Sequence, residues 1–504
     1  MKNIRTLWDK SNSSFPDLPA VRWLEKKDVK EISYAELNNA VTLIRKGLAK
    51  EGYSGKHIAL IGASSVYWVQ SYLAVTTGDN VAVPLDVNLP ADDLVDLLNR
   101  SDSEALFLSP KQAAFVDTVK ELCPKIRNIW LLDEGGLSGL KEAGSDESDV
   151  KAGSENDIAT IIFTSGTTGK SKGVMLTQGN LSSNVEAVQF TADPGCVLMS
   201  VLPIHHAFCL VMDWLKGFSL GAVVCINDSL MHMVRNMEIF KPEVMLMVPL
   251  MIESIYKKLA ASSPMIPKKI VAAKAFGGRL RIIFTGGAHL DPFYIEKFSA
   301  YGVDVLEGYG MSECSPVISS NVPEDHKAGS IGRPLPNVEI KFENGEILVR
   351  GSSVMKGYYN MPEETEETLR GGWLHTGDKG YIDEDGFLFI NGRVKNLIIL
   401  SNGENISPEE IENKLALSPL VAEVIVTGEN NGLTARIYPD KDYADAKKMD
   451  SDKVMASIQS FIDDYNKNQP TYRRITGLII RENPFIRNAT AKIIRAKALE
   501  DSPV

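Results

Sequence analysis

Short, continuously apolar runs recur along the first half of the chain, with stretches of helical spacing between them. His57–Ile61 (HIALI), Val81–Leu85 (VAVPL), Ala105–Leu108 (ALFL) and 129–132 have the pattern of strands buried on both faces. Residues 67–76 (YWVQSYLAVT) have helical spacing. The strand pattern returns at 197–202, 222–226, 244–248 and 281–284. Buried parallel strands alternating with helices predict an α/β sheet. After about 335 the texture changes. Residues 339–342, 346–350 and 387–390 are short strands separated by turn residues (ENGE, DEDG), which predicts a β-rich subdomain.

From 397 onward the pattern changes again. A helix is expected over Pro408–Leu415, with Ser407 as N-cap and proline at the first position. Strands follow at 421–427 and 433–438, then a helix at 451–465. This predicts a separate small α+β domain of roughly a hundred residues. The polar, acidic stretch 139–157 (GLKEAGSDESDVKAGSEND) reads as a surface loop. No internal repeat is visible.

The chain has 504 residues, enough for about three domains or one large and one small. With 44% hydrophobic and 24% charged residues it is ordinary globular material, not a fibre or a disordered chain. Its 54 basic residues face 65 acidic ones, a net charge of -11, which argues against a dedicated nucleic-acid binder. Five cysteines, at 123, 196, 209, 225 and 314, form no CxxC, so reduced thiols in a cytoplasmic protein are expected. The seven histidines do not cluster with cysteines, and no zinc site is visible. MKNIRTLWDKSN lacks the apolar core of a signal peptide. The longest apolar windows, 220–226 and 244–252, fall short of the ~18 residues a membrane span needs. A peripheral contact with a membrane surface stays open.

The strongest chemical signal is at 164–173. An apolar strand, IATIIF, runs into Thr164-Ser165-Gly166-Thr167-Thr168-Gly169-Lys170-Ser171-Lys172-Gly173. Glycines and small hydroxyl residues let backbone N–H groups turn toward an anion, and lysines add charge. A Walker A loop would need glycine at 164, where threonine stands. The competing reading is a flexible Gly/Ser linker, which two lysines and a buried strand argue against.

In its order of residues, TSGTTGKSKGV resembles the phosphate loop of the adenylate-forming superfamily: acyl-CoA synthetases, luciferases and the adenylation domains of peptide synthetases. Ser171 stands where proline is usual. The resemblance implies that Thr164, Ser165, Gly166, Thr167, Thr168, Gly169, Lys170 and Lys172 serve the phosphates of ATP. Later segments follow in the family's order. His205-His206-Ala207-Phe208 resembles the fourth core motif, which would put His206 beside the substrate carboxylate; a packed or capping histidine is the alternative. RIIFTGGA (281–288) would line the adenine with Gly286, Gly287 and Ala288, since glycines permit close approach to a flat ligand. Glu307-Gly308-Tyr309-Gly310-Met311-Ser312-Glu313 resembles the fifth motif. Tyr309, between two glycines, suits stacking on a purine. Glu313 is a hard oxygen ligand suited to Mg2+. Ser312 replaces the usual threonine and keeps the hydroxyl.

WLHTGD (373–378) resembles the motif whose aspartate, here Asp378, holds the ribose hydroxyls. NGRVKN (391–396) resembles the hinge, with Arg393 near ribose or phosphate, Lys395 at the pivot and Asn396 replacing a common aspartate. Gly403, in SNGENI, would face the thiol-acceptor tunnel after domain rotation. NPFIRNATAKIIR (483–495) resembles the terminal motif, in which Lys492 bridges carboxylate and α-phosphate; Ala491 stands where glycine is common. The resemblance thus implies an α/β fold with an AMP-binding adenylation domain over 1–393, a hinge at 394–396 and a small mobile lid domain over 397–504. It implies an acid-thiol ligase that uses ATP, Mg2+ and CoA, with Lys492, Glu313 and His206 as catalytic residues.

Among the acids, YGMSECSPVISSN and LSNGENISPEEIE look most like long-chain fatty acyl-CoA synthetases, and 208–214 is mostly apolar, as an acyl tunnel and any core would both be. Two alternatives remain: an aryl-acid CoA ligase, and an enzyme that loads the phosphopantetheine of an acyl-carrier protein, although no carrier domain is fused before Val504. A non-catalytic scaffold of the same fold would have been favoured by loss of Lys492 or Glu313, and both are present.

Overall fold

The computed structural model describes residues 2–146, 148–164, 170–260, 267–399, 405–429, 432–487 and 493–500. The chain divides into two compact units: Met1–Ile340 with Val349–Leu374, and Lys341–Leu348 with His375–Val504.

The first unit is built on two large sheets. One runs, in order, Gly357–Tyr358, Lys172–Thr177, Ile158–Thr164, Val81–Leu85, His57–Ile61, Ala105–Leu108 and Asn128–Leu131. The strands from Ile158–Thr164 to Asn128–Leu131 are parallel; Lys172–Thr177 and Gly357–Tyr358 add antiparallel pairs at one edge. The other has Asp304–Gly310, Ile282–Thr285, Val244–Met247, Val197–Ser200 and Val223–Ile226 as a parallel centre. The continuous apolar runs exist because both faces of these strands are covered: all five residues of Val81–Leu85 and all four of Ala105–Leu108 are buried. His57–Ile61, Val81–Leu85 and Ala105–Leu108 have the expected bounds, and the other expected strands shift by one to three residues at their ends.

The stretch 139–157 is not wholly loop. Helix Glu134–Gly144 occupies its first part, N-capped by the Asp133 carboxylate, which accepts from the Gly136 N–H. Leu137 and Leu140 bury its inner face. It lies so close to helix Tyr34–Lys50 that a Cβ on Gly144 would stand 2.0 Å from the Leu43 carbonyl oxygen. Gly144 is there for helix–helix contact, a role that resembles loop composition in sequence. The remainder is pinned by Asp149, which pairs with the buried Arg45.

In the second unit, Leu374–Ile382 pairs antiparallel with Leu388–Arg393. A three-stranded sheet of Val421–Glu429, Gly432–Pro439 and Ile475–Ile480 packs with helices Pro408–Leu415 and Ser451–Lys467 around Ile411, Leu415, Leu433, Ile437, Ile458 and Ile462. Ser407 does precede helix Pro408–Leu415, but its side chain makes no cap bond; its hydroxyl donates to Glu409 Oε2 at 2.9 Å instead. All five cysteines are unpaired and buried. Among the described residues no helix is long and apolar enough to cross a membrane.

Candidate active site

The segment 164–173 closes a hairpin. Ile158–Thr164 runs antiparallel to Lys172–Thr177, with Thr164 directly opposite Lys172. Ser165, Gly166, Thr167, Thr168 and Gly169 lie outside the described residues. Lys170 is exposed and Lys172 half-buried. Arg100, at the end of helix Ala91–Arg100, donates to the Ser171 carbonyl at 2.6 Å, and its guanidinium lies over the Phe163 ring at 5.7 Å. Arg100 thus ties down the outgoing edge of the loop, a role that no sequence motif announces.

At the base of the hairpin three side chains form a chain of contacts. The Lys172 ammonium lies over the Tyr358 ring, 4.8 Å from its centroid. The Tyr358 hydroxyl donates to Glu313 Oε1 at 2.8 Å. Burial first, and then the Glu313 carboxylate, push the Tyr358 hydroxyl far above its ordinary value, so it stays protonated. The backbone fixes both partners. Tyr358 pairs with Val174 of the hairpin, and the Glu313 carbonyl accepts from the Met355 N–H at 2.8 Å. The buried amide of Asn184 braces the following turn, donating to the carbonyls of Cys314 at 3.3 Å and Val317 at 2.8 Å.

The fifth-motif segment is strand Asp304–Gly310 followed by a turn, Ser312–Cys314. Gly310 is required by close approach: a Cβ there would stand 1.9 Å from the Pro316 carbonyl oxygen. Tyr309 is half-buried and opposite Ser319. Thr285 and Glu307 are register partners on adjacent parallel strands. Glu307 is buried; its Oε1 accepts from the Leu290 N–H at 3.3 Å. Burial, with nearby Asp291 adding to it, pushes the Glu307 carboxyl up to about 8, so it is a neutral acid at pH 7. Glu307 Oε2 and Thr285 Oγ1 are buried without a hydrogen-bond partner among the described residues.

The fourth motif meets this strand end. A Cβ on Gly286 would stand 3.0 Å from the Gly308 carbonyl oxygen and 3.8 Å from the Phe208 ring, so the three motifs converge. Gly287 and Ala288 are exposed just beyond. His206 is half-buried, its ring centroid 4.2 Å from that of the buried His205. His205 Nε2 is 3.8 Å from Asp86 Oδ2, yet burial and the neighbouring His206 hold its pKa down at about 4 against the pull of Asp86, so no charged pair forms at pH 7. After Phe208 the chain forms a π-helical segment, Cys209–Lys216, a form often found at functional sites. Its residues from Cys209 to Leu215 are buried, Asp213 included. Burial pushes the Asp213 carboxyl up to about 7, and the Cys209 thiol donates to its Oδ2 at 3.5 Å.

The second unit carries the remaining candidates. Asp378 is buried and opposite Arg393 across the hairpin; Arg393 Nε donates to Asp378 Oδ1 at 2.9 Å, with the guanidinium about half exposed. Lys395 is exposed on the turn Val394–Asn396. The Asn396 amide donates to Glu409 Oε1 at 2.5 Å. Gly403 and Lys492 lie outside the described residues. The segment bearing Lys492 is bracketed by a bridge between Arg487 and Ile493, and Glu423 accepts from the Phe485 N–H and the Arg487 guanidinium at its base.

Sequence reading missed Arg100, Tyr358, Asn184 and Asp86. Tyr358 sits in a GYY triplet that carries no chemical signal alone; only its register against the loop's outgoing strand singles it out.

The chain is similar to known proteins along most of its length. The AMP-binding enzyme family matches residues 8–359, and the AMP-binding enzyme C-terminal domain matches 395–501. Long-chain-fatty-acid–CoA ligase 5 of Mus musculus is 31% identical over 491 residues, covering 82% of this chain and 71% of that protein. A feruloyl-CoA synthase of Amycolatopsis is 30% identical over 464 residues, covering 86% and 88%. The crystal structure of ATP-bound MatB from Rhodopseudomonas palustris superposes with a TM-score of 0.81 at 26% identity, covering 99% of this chain and 98% of that one. Family matches over both parts of the chain, and relatives aligned along most of its length, place this protein in the AMP-binding enzyme family, as an AMP-forming acyl-CoA ligase that uses ATP and CoA.

Proposed function

We propose that this ligase activates an aliphatic carboxylic acid of medium to long chain. The observation that carries the reading is the phrase-level likeness around 309–321 and 400–412 to long-chain fatty acyl-CoA synthetases, in keeping with the mouse relative. The buried, mostly apolar segment Cys209–Lys216 beside His206 supports it. The feruloyl-CoA synthase match favours a second reading, an aryl acid. Loading of a carrier-protein phosphopantetheine is the third.

A carboxylate is a poor electrophile. Its oxygen attacks the α-phosphorus of ATP, a P–O bond forms, the bond to pyrophosphate breaks, and acyl-AMP results. Negative charge gathers on the α-phosphate and on the leaving pyrophosphate. In this reading the hairpin at 164–173 holds the phosphates and Lys492 bridges α-phosphate and carboxylate. His206, next to a histidine that is neutral at pH 7, orients the acid. Gly286, Gly287, Ala288 and Tyr309 frame the adenine, and the unpartnered Glu307 Oε2 is a buried polar atom at that end of the strands. Asp378 and Arg393 serve the ribose. Mg2+, when bound, supplies neutralisation of the phosphate charge. Glu313 is the residue that would hold it. Among the described residues no group of three His, Cys, Asp or Glu stands together, which suits an ion held mainly by substrate phosphates.

In the second half-reaction the CoA thiolate attacks the acyl carbon and AMP leaves. Lys492 would obstruct that approach. The lid, 397–504, therefore turns about Lys395 in the hinge at 394–396 and presents Gly403 instead. The buried, unpaired cysteines support a reducing, cytosolic setting.

The test is a pyrophosphate-release screen over fatty and aryl acids, with and without CoA. Fatty acids are expected to give the highest kcat/KM, with AMP as the nucleotide product. A benzoate- or cinnamate-type acid that exceeds every fatty acid would replace the aliphatic reading with the aryl one.

A further inference from the structure

We propose that Tyr358 is a positioning residue for adenylation, holding the Glu313 carboxylate in a metal-ready orientation through its hydroxyl while its ring face carries Lys172. The inference rests on the reading of Glu313 as the Mg2+ ligand.

The geometry is specific. The hydroxyl donates to Oε1 of Glu313 at 2.8 Å, and the Lys172 ammonium is 4.8 Å from the ring centroid. One side chain takes an anion at its tip and a cation on its face. A carboxylate bound by a neutral donor keeps its negative charge and the lone pairs of its second oxygen. Bound directly by an ammonium it would lose much of its attraction for a dication. Tyr358 thus holds Lys172 on its aromatic face and gives Glu313 an uncharged donor. It also couples the two ends of the site mechanically: Tyr358 pairs with Val174 on the strand that begins at Lys172. Its own backbone is held independently, because its N–H donates to Thr365 Oγ1 at 2.8 Å. Removing the hydroxyl therefore leaves the backbone in place.

The experiment is Mn2+ binding to the full chain with the non-hydrolysable α,β-methylene analogue of ATP, read by electron paramagnetic resonance of free Mn2+. Outer partners of metal ligands are typically worth roughly 10–100-fold in metal affinity. Tyr358→Phe is expected to weaken Mn2+ binding by that factor, Glu313→Gln at least as much, and the double variant no more than Glu313→Gln alone. Pyrophosphate exchange should recover at saturating Mg2+ in Tyr358→Phe and not in Glu313→Gln, a split that general loosening of the fold would not give. Tyr358→Met, which lacks hydroxyl and ring, should bind Mn2+ no better than Tyr358→Phe. If Glu313→Gln weakens binding and Tyr358→Phe stays within twofold of the parent, the proposal is wrong while the metal reading stands. Losses that simply multiply in the double variant also overturn it. Unchanged Mn2+ affinity in Glu313→Gln instead removes Glu313 as the ligand.

Discussion

Two carboxylates proposed to face ATP are held in opposite ways. Glu313, in the first unit, receives a neutral hydroxyl from Tyr358. Asp378, in the second, is buried and receives the guanidinium of Arg393. A neutral donor orients a carboxylate and leaves its charge; a cationic donor orients it and neutralises much of that charge. The first arrangement suits a site awaiting a dication. The second suits one awaiting uncharged hydroxyls, for which a bare buried anion would be costly. In each case the local partner matches the charge of what the carboxylate is proposed to meet.

The largest expected effect sharpens the contrast between the units. Lys492→Ala should lower acyl-adenylate formation by ~10²–10³, the size of one preorganised charge, and leave thioester formation from preformed acyl-AMP nearly intact. Quenched-flow measurement of each half-reaction checks this, and an equal loss in both steps would refute the placement of Lys492. Next, Asp378→Ala should raise the KM for ATP by roughly 10–100-fold, the equivalent of a lost hydrogen bond to a charged group. The Mg2+ midpoint should not move; if it does, Asp378 shares the metal site and the two carboxylates are not distinct in role. Gly310→Ala puts a methyl group where only 1.9 Å separates it from the Pro316 carbonyl, and should lower stability by about 1–3 kcal/mol in a denaturant titration.

The last prediction is a pH dependence. Asp213 is raised from the ordinary carboxylate range to about 7. Between those values the folded protein holds a proton that the unfolded chain has released. Its contribution to stability is therefore full at low pH and declines as pH rises, by at most ~1.4 kcal/mol per pH unit, levelling off above about 7. Asp213→Asn removes the titration. The melting temperature of the parent minus that of the variant should fall between pH 4 and 7; a flat difference would mean that Asp213 is ionised in the fold.

Most strands were legible because a strand buried on both faces demands a continuous apolar run, as in Val81–Leu85 and Ala105–Leu108. Helix Glu134–Gly144 was not, because its four glycines make it look like a loop, although one of them, Gly144, is what lets it pack on its neighbour. The motifs named residues proposed to meet a ligand, such as Glu313 and Asp378. They did not name residues that hold those residues. Tyr358 and Arg100 act through contacts far apart in sequence, and their chemistry takes its meaning from register and distance.

The buried thiols give the protein an internal clock. Burial raises the pKa of Cys209, Cys225 and Cys314, so each is a protonated, shielded, poor nucleophile in the native fold. A thiol-specific reagent can modify them only when the surrounding segment opens. Cys314 directly follows Glu313, and Cys209 begins the segment after Phe208. Their labelling rates therefore time local opening at two separate places in the site, without any engineered probe, and any ligand that braces either segment should slow its own cysteine first.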